Sequence, residues 1–253
     1  MIHFVSDLHL SSRTPGAAGM FKTLLAKCAR AGNRLYTLGD LFEIWVGDDD
    51  DDPFNLSIVA ALDQARQRGL AVFLLHGNRD FLIGAQFAAR TGVTLLPDPY
   101  VLSLPEQRFV LSHGDSLCAD DAEYQAFRAQ TRAPDWQAAF LRKPLPERRA
   151  FAEQLRAQSE VAKNGKSACL MDLNPIATDD FLRQHGYATF IHGHTHKPAC
   201  HDHLVDGVHV ERRVLADWSE THGETLVWDG QTLRREPLSR TLSDARASCT
   251  PPA

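Results

Sequence analysis

Six short apolar runs, at residues 2–6, 35–38, 71–76, 93–96, 109–112 and 188–192, recur along the chain, and helical patterns fill most of the gaps between them. Runs of this length, rich in Val, Ile, Leu and aromatic residues, read as buried strands. Between the first two, Phe21, Leu24, Leu25 and Cys28 recur at helical spacing before Gly32; between the next two, Ile58, Leu62 and Ala65 do so before Gly69. Alternation of this kind makes βαβ units and a parallel sheet, because a parallel return needs a crossover. Two segments depart from it. Residues 100–112 turn through Pro105-Glu106-Gln107, and residues 224–235 turn at Asp229-Gly230, so both are expected as hairpins, the second with a type I′ turn. The predicted class is α/β with mixed sheets.

A metal-ligand type of side chain follows five of these runs directly. Asp7 and His9 come after the first, Asp40 after the second, Asn78 after the third, His113 after the fifth, and His194 and His196 after the sixth. The carboxyl ends of strands in an open α/β sheet border the crevice where ligands bind, so these loops are expected to converge. Carboxylate, imidazole and amide oxygen suit Mn²⁺, Fe²⁺ or Zn²⁺. Seven groups exceed the needs of one ion and fit two that share a carboxylate, the arrangement that clamps both oxygens of an in-line displacement at phosphorus. Taken singly, an Asp after a strand is a helix cap and a His is a surface or core residue; the conjunction of five strand ends argues for the site. His3, His76, His192, His201, His203, His209 and His222 lack that support and are read as structural. The acidic run at residues 48–52 is read as a solvated loop.

Composition narrows the function. The formal charge of −5 argues against a general nucleic-acid binder. The five cysteines form no CxxC pair and give no disulfide framework, and the N-terminus has neither a basic stretch nor a long apolar run; the expectation is a cytoplasmic protein. Residues 121–170 carry a net charge of +3 against −8 for the rest, and Pro134, Pro144 and Pro146 divide them into short helices. Residues 121–170 therefore read as a helical insert in a core of residues 1–120 and 171–238, with 239–253 as a flexible tail. Phe151, Leu155 and Val161 give the insert an apolar stripe, and Trp136, Phe140 and Leu141 add bulk. No obligatory protein partner is evident.

The ordered blocks Asp7-Leu-His9, Gly39-Asp40, Gly77-Asn78-Arg79-Asp80, His113-Gly-Asp and Gly193-His194-Thr-His196 resemble those of the calcineurin-like metallophosphoesterases, over residues 1 to about 220. The resemblance implies a sandwich of two sheets flanked by helices, with Asp40 bridging two metals. Asp7, His9 and His196 would join it on one metal, and Asn78, His113 and His194 on the other, with Asp80 in support. One position departs from the family: Arg79 stands where most members have a His that assists the leaving group. An arginine is no general acid near neutrality, but its fork holds phosphate. A catalytic set of Asp40, Asn78, Arg79 and His113 therefore suits a leaving group that needs little protonation, such as a phosphate expelled from a pyrophosphate.

Gly-Asn-Arg-Asp, residues 41–49 and the insert together resemble the branch of the family that cleaves UDP-2,3-diacylglucosamine in lipid A synthesis of Gram-negative bacteria. That resemblance implies UMP and 2,3-diacylglucosamine 1-phosphate as products, Mn²⁺ as activator, and a peripheral position on the cytoplasmic face of the inner membrane. The insert would close as a lid, with substrate contacts from Asn78, Arg79, Asp121, Ser159, Lys166 and His194, and from Lys163 or Asn164. The alternatives are a nucleotide or nucleic-acid phosphodiesterase of the same superfamily, and a non-catalytic scaffold of this fold.

Overall fold

The computed structural model describes residues 1–165 and 172–238, with side chains through residue 157 and again from 172. The first half runs β1 (Ile2–Val5), α1 (Pro15–Cys28), β2 (Arg34–Leu38), α2 (Pro53–Gln67), β3 (Ala71–Leu75), α3 (Ala85–Thr91) and β4 (Thr94–Leu95). A hairpin of β5 (Tyr100–Ser103) and β6 (Arg108–Leu111) leads into the helices α4 (Ala122–Arg132), α5 (Pro134–Leu141) and α6 (Leu145–Gly165). The chain returns through α7 (Pro175–Gln184) and β7 (Thr189–His192) to the hairpins β8 (Ala199–Val205) with β9 (Val208–Val214), and β10 (Gly223–Trp228) with β11 (Leu233–Leu238). Proline opens α1, α2, α5 and α7, where its missing N–H would have no helical partner anyway.

Strands β1 to β4 pair in parallel, and β10 and β11 extend them antiparallel, in the order β11-β10-β1-β2-β3-β4. The second sheet has the order β5-β6-β7-β9-β8, with β6, β7 and β9 parallel. Side chains alternate across each strand, so each sheet feeds two apolar layers. Phe4, Tyr36, Leu38, Phe109, Leu111 and Ile191 fill the space between the sheets. Val5, Leu35, Val72 and Leu74 point the other way, against Phe21 and Leu24 of α1 and Ile58 and Leu62 of α2. Val110 and Phe190 meet Phe181 and Leu182 of α7 on the outer face of the second sheet. The two-sheet sandwich is thus as expected.

Several local expectations need correction. The last hairpin joins Trp228 to Leu233 through four residues, not a two-residue type I′ turn, because the Asp229 carboxylate accepts the N–H groups of Gln231 and Thr232 and closes a wider loop. The two-residue turn falls instead at Asp206-Gly207, where both φ values are positive. That hairpin places His201, His203 and His209 in strands β8 and β9; β8 is mostly exposed, and in β9 the buried Arg212 interrupts the apolar alternation. The described residues of 121–170 form α4, α5 and α6, but α6 spans 21 residues and is not short.

The acidic run is not merely solvated. Asp48 accepts N–H groups at the start of α3, Asp52 caps α2, and Asp50 accepts from Asn55 Nδ2. Arg148 of α6, almost fully buried, pairs with Asp49, and Arg149 pairs with Asp50 and Asp51. Helix α6 is therefore held to this run, because a buried guanidinium needs carboxylate or carbonyl partners to offset its lost hydration. The Val46 carbonyl supplies one more, 2.6 Å from Arg148 Nη1.

Candidate metal centre

All seven predicted ligands lie on loops that leave the carboxyl ends of β1, β2, β3, β6 and β7. Both sheets thus aim these ends at one place. Backbone bonds stitch the loops together: Asp7 N–H donates to the Gly39 carbonyl, His9 N–H to Asp40, and Gly193 N–H to His113, at 3.0–3.1 Å. Asp7, His9, Asp40, His194 and His196 all adopt positive φ, between 46° and 66°. Such conformations cost about 1–3 kcal/mol each and persist where the surroundings over-determine them. Gly77 and Gly193 are required by close approach: a Cβ at Gly77 would stand 2.1 Å from Asp40 Oδ1, and one at Gly193 2.2 Å from Asp7 Oδ2.

Each carboxylate spends one oxygen on the scaffold and turns the other inward. Asp7 Oδ2 accepts from His194 N–H at 2.9 Å, while its Oδ1 is buried with no hydrogen-bond partner, 3.4 Å from His196 Nε2 and 4.0 Å from His9 Nε2. Asp40 Oδ1 accepts from Arg79 N–H at 2.8 Å, and its Oδ2 stands 3.7 Å from His9 Nε2 and 3.8 Å from His113 Nε2. Asp40 is therefore central to two groups of side chains. On one side His9 Nε2 and His196 Nε2 approach to 3.3 Å. On the other, Asn78 Oδ1 lies 2.9 Å from His113 Nε2 and 3.0 Å from His194 Nδ1.

The donor set fits divalent cations. Ligating atoms of Asp7, His9 and His196 lie within 4.8 Å of one another, as do those of Asp7, Asp40 and His113. A buried carboxylate oxygen without a partner calls for a cation, and the imidazoles are oriented to leave a nitrogen free for one. His113 Nδ1 is 2.9 Å from the Leu38 carbonyl, and His196 Nδ1 is 3.4 Å from Asp217. Burial opposes charge on His113, but the Asp40, Asp7 and Asp115 carboxylates outweigh it and raise the imidazole to about 9. His196 goes the same way, to about 10, where contacts with Asp217 and Asp7 overcome burial. Burial and the neighbouring His113 push His194 down to about 4. Despite complete burial, Asp7 is held below the ordinary carboxylate range by His196, His113 and His9.

Asp80 supports the site from behind. Its carboxylate accepts from Gly77 N–H at 2.8 Å, Leu41 N–H at 2.7 Å and Asp40 N–H at 3.3 Å, tying the Asp40 loop to the Asn78 loop. Asp121, expected to touch substrate, caps α4 by accepting from Tyr124 N–H. Ser159, Lys163 and Asn164 lie in the last turns of α6, where the side chains are outside the described ones, as is that of Val161; Lys166 lies outside the described residues altogether.

Three carboxylates had no role in the sequence reading, although Asp115 closes the His113-Gly-Asp block and Glu43 lies within residues 41–49. Asp115 is buried and accepts from Tyr124 Oη at 2.7 Å and Arg128 Nε at 2.8 Å, fastening α4 to the His113 loop. The Tyr124 ring then stacks on His194, with centroids 5.7 Å apart. Asp217 faces His196 from a loop with no motif around it. Glu43 lies 2.9 Å from His9 Nδ1 and 2.7 Å from Arg156 Nε of α6. Burial works against the Glu43 charge, but His9, Arg79 and Arg156 outweigh it and hold the carboxyl down to about 2. Carboxylates behind a metal-binding imidazole are commonly worth about 10–100-fold in metal affinity. Glu43→Gln is accordingly expected to weaken Mn²⁺ binding about tenfold or more in a chelator-competition titration; unchanged affinity would mean that His9 is oriented by the backbone alone.

Two mixed sheets with helices outside, and this cluster at their converging strand ends, define the class. The chain belongs to the calcineurin-like phosphoesterase family, whose model matches residues 1–198. Among its curated relatives is a UDP-2,3-diacylglucosamine hydrolase of Aromatoleum aromaticum, 48% identical over 227 residues, covering 90% of this chain and 92% of that one. The protein of that name from Chromobacterium violaceum is 47% identical over 239 residues, covering 94% and 98%. The one from Escherichia coli is 43% identical over 215 residues, covering 85% and 90%.

Proposed function

We propose that this chain hydrolyses the pyrophosphate bond of UDP-2,3-diacylglucosamine, giving UMP and 2,3-diacylglucosamine 1-phosphate. The observation that carries the reading is a cavity of about 340 Å³ beside the ligand cluster. Asn78 and Arg79 stand in its wall together with Trp136, Phe140, Phe151 and Leu155 of the insert. Trp136 and Phe140 stack at 4.9 Å, and Phe140 and Phe151 lie 5.3 Å apart. An aromatic chamber opening onto a phosphate-binding fork suits a substrate that joins acyl chains to a phosphate. The relatives named above are hydrolases of that substrate.

Residues 121–170 act in this reading as a lid, held down by Arg148 and Arg149 on one side and by Asp115 on the other. Asp7, His9, Asp40, Asn78, His113, His194 and His196 would hold divalent cations, which would supply positive charge and lower the pKa of a water beside the phosphorus. Arg79 holds the departing phosphate as its charge grows, and Asn78, Asp121, Ser159, Lys163 or Asn164, Lys166 and His194 complete the substrate contacts. Among the described residues no helix is long and apolar enough to cross a membrane. The same proposal places the chain peripherally on the cytoplasmic face of the inner membrane, where a diacylated substrate would be met.

The test measures UMP release from UDP-2,3-diacylglucosamine beside hydrolysis of a generic aryl phosphodiester. Faster turnover of the lipid is expected. Preference for the aryl ester would favour a general phosphodiesterase. Chelation is expected to abolish activity, and Mn²⁺ to restore it best, since oxygen and imidazole donors accept it well and in-cell choice among metals follows supply. Full turnover by metal-free protein would refute the cation site.

A further inference from the structure

His9 also borders a second cavity of about 330 Å³, and most of the residues around it carry polar or charged side chains. Helix α6 gives Phe151, Ala152 and Leu155 to the apolar cavity, but Arg149 and Glu153 to this one. Glu43, Ile44 and Arg156 line both and form the partition between them. We infer that the polar cavity is the subsite for the nucleoside half of a nucleoside diphosphate substrate. The inference rests on the proposed reaction and adds where its second half lies.

That substrate has two ends of unlike chemistry with a diphosphate between them. Acyl chains suit the aromatic chamber, whereas a ribose and a pyrimidine need donors and acceptors around them. The polar cavity offers these: the exposed Ser12 hydroxyl, Arg13 guanidinium and Glu153 carboxylate, with the half-buried Phe54 ring at its edge. Carboxylates accept from ribose hydroxyls, guanidinium and aromatic faces stack on bases, and a hydroxyl serves either edge of a uracil. The volume lies within the roughly 300–1,000 Å³ of small-molecule pockets. The placement also orders the phosphates. Asn78 and Arg79 belong to the apolar cavity and His9 to the polar one, so a diphosphate spanning the two crosses the ligand cluster.

Filling the cavity from its exposed loop tests this. Calorimetry on the Mn²⁺-loaded full chain reads binding of UMP and, separately, of 2,3-diacylglucosamine 1-phosphate, which needs no turnover. Ser12→Trp is expected to weaken UMP about tenfold and leave the lipid phosphate within about twofold; Glu153→Ala is expected to weaken UMP by about threefold. For UDP-2,3-diacylglucosamine the loss in Ser12→Trp appears in KM more than in kcat. The inference is overturned if wild type fails to bind UMP, if both variants bind it normally, or if both products weaken equally. Failure of wild type to hydrolyse the UDP-lipid while UMP still binds and responds to Ser12→Trp would instead sink the proposed reaction and keep the subsite.

Discussion

Asp40→Asn lowers kcat/KM for UDP-2,3-diacylglucosamine by about 10³-fold or more, and leaves the metal-free protein nearly as stable as wild type. Asparagine tolerates the positive φ at this position, and its amide oxygen can keep the bond from Arg79 N–H. What disappears is the charge that stands between His9 and His113, on which both cations of the proposed site would depend; losses of about 10²–10³ follow the removal of a single well-placed electrostatic group. Asp80→Asn is expected to behave in the opposite way. Burial and the Asp40 carboxylate raise the Asp80 pKa, yet each of its oxygens accepts from backbone N–H. An amide there sets a donor against Gly77 or Leu41 N–H, at about 1–3 kcal/mol for the unsatisfied group, or a few degrees of Tm. Its activity falls only about 10–100-fold. Steady-state kinetics at saturating Mn²⁺ and thermal melts of both apo variants check the pair; similar activity losses would mean that Asp40 is not the shared ligand.

Arg79→His shifts substrate preference away from the UDP-lipid. The Arg79 N–H is fixed on Asp40, and its side chain lines the apolar cavity beside Asn78. The guanidinium is permanently charged and bidentate, so it stabilises a phosphate leaving group most as negative charge shifts onto it. Histidine brings a proton donor and gives up the fork. Hydrolysis of the UDP-lipid should drop about 10²-fold, with the loss mainly in kcat. Hydrolysis of an aryl phosphodiester, whose leaving group needs no clamp, should be spared or improved. The ratio of kcat/KM for the two substrates is the measurement, and a proportional loss on both would reduce Arg79 to holding the Asp40 loop.

The chain's periodicity and its strand-end residues carried most of the fold and all seven candidate ligands, because both are local. Apolar runs of four to six residues can bury a side only as strands, and a carboxylate or imidazole placed just beyond a strand projects from the sheet edge wherever the sheet lies. The β8–β9 hairpin was not legible: β8 is exposed along most of its length, and in β9, where burial does alternate, an arginine, Arg212, takes one of the inward positions and interrupts the apolar pattern. The roles of the carboxylates around the ligands were not legible either. Asp48 caps a helix that begins at Ala85, Asp115 binds Arg128 across a helix, Asp217 meets His196, and Glu43 lies between His9 and Arg156, all contacts made by segments far apart or turned by loops. A residue's type limits what it can bind, but its partner depends on which elements pack together, and that is settled by burial of the whole core. The sequence by itself thus determined which groups reach the metal centre. Only the tertiary structure decided what holds them there, how α6 docks on the acidic run, and that α6 lines one cavity with aromatic and aliphatic residues and another with charged ones.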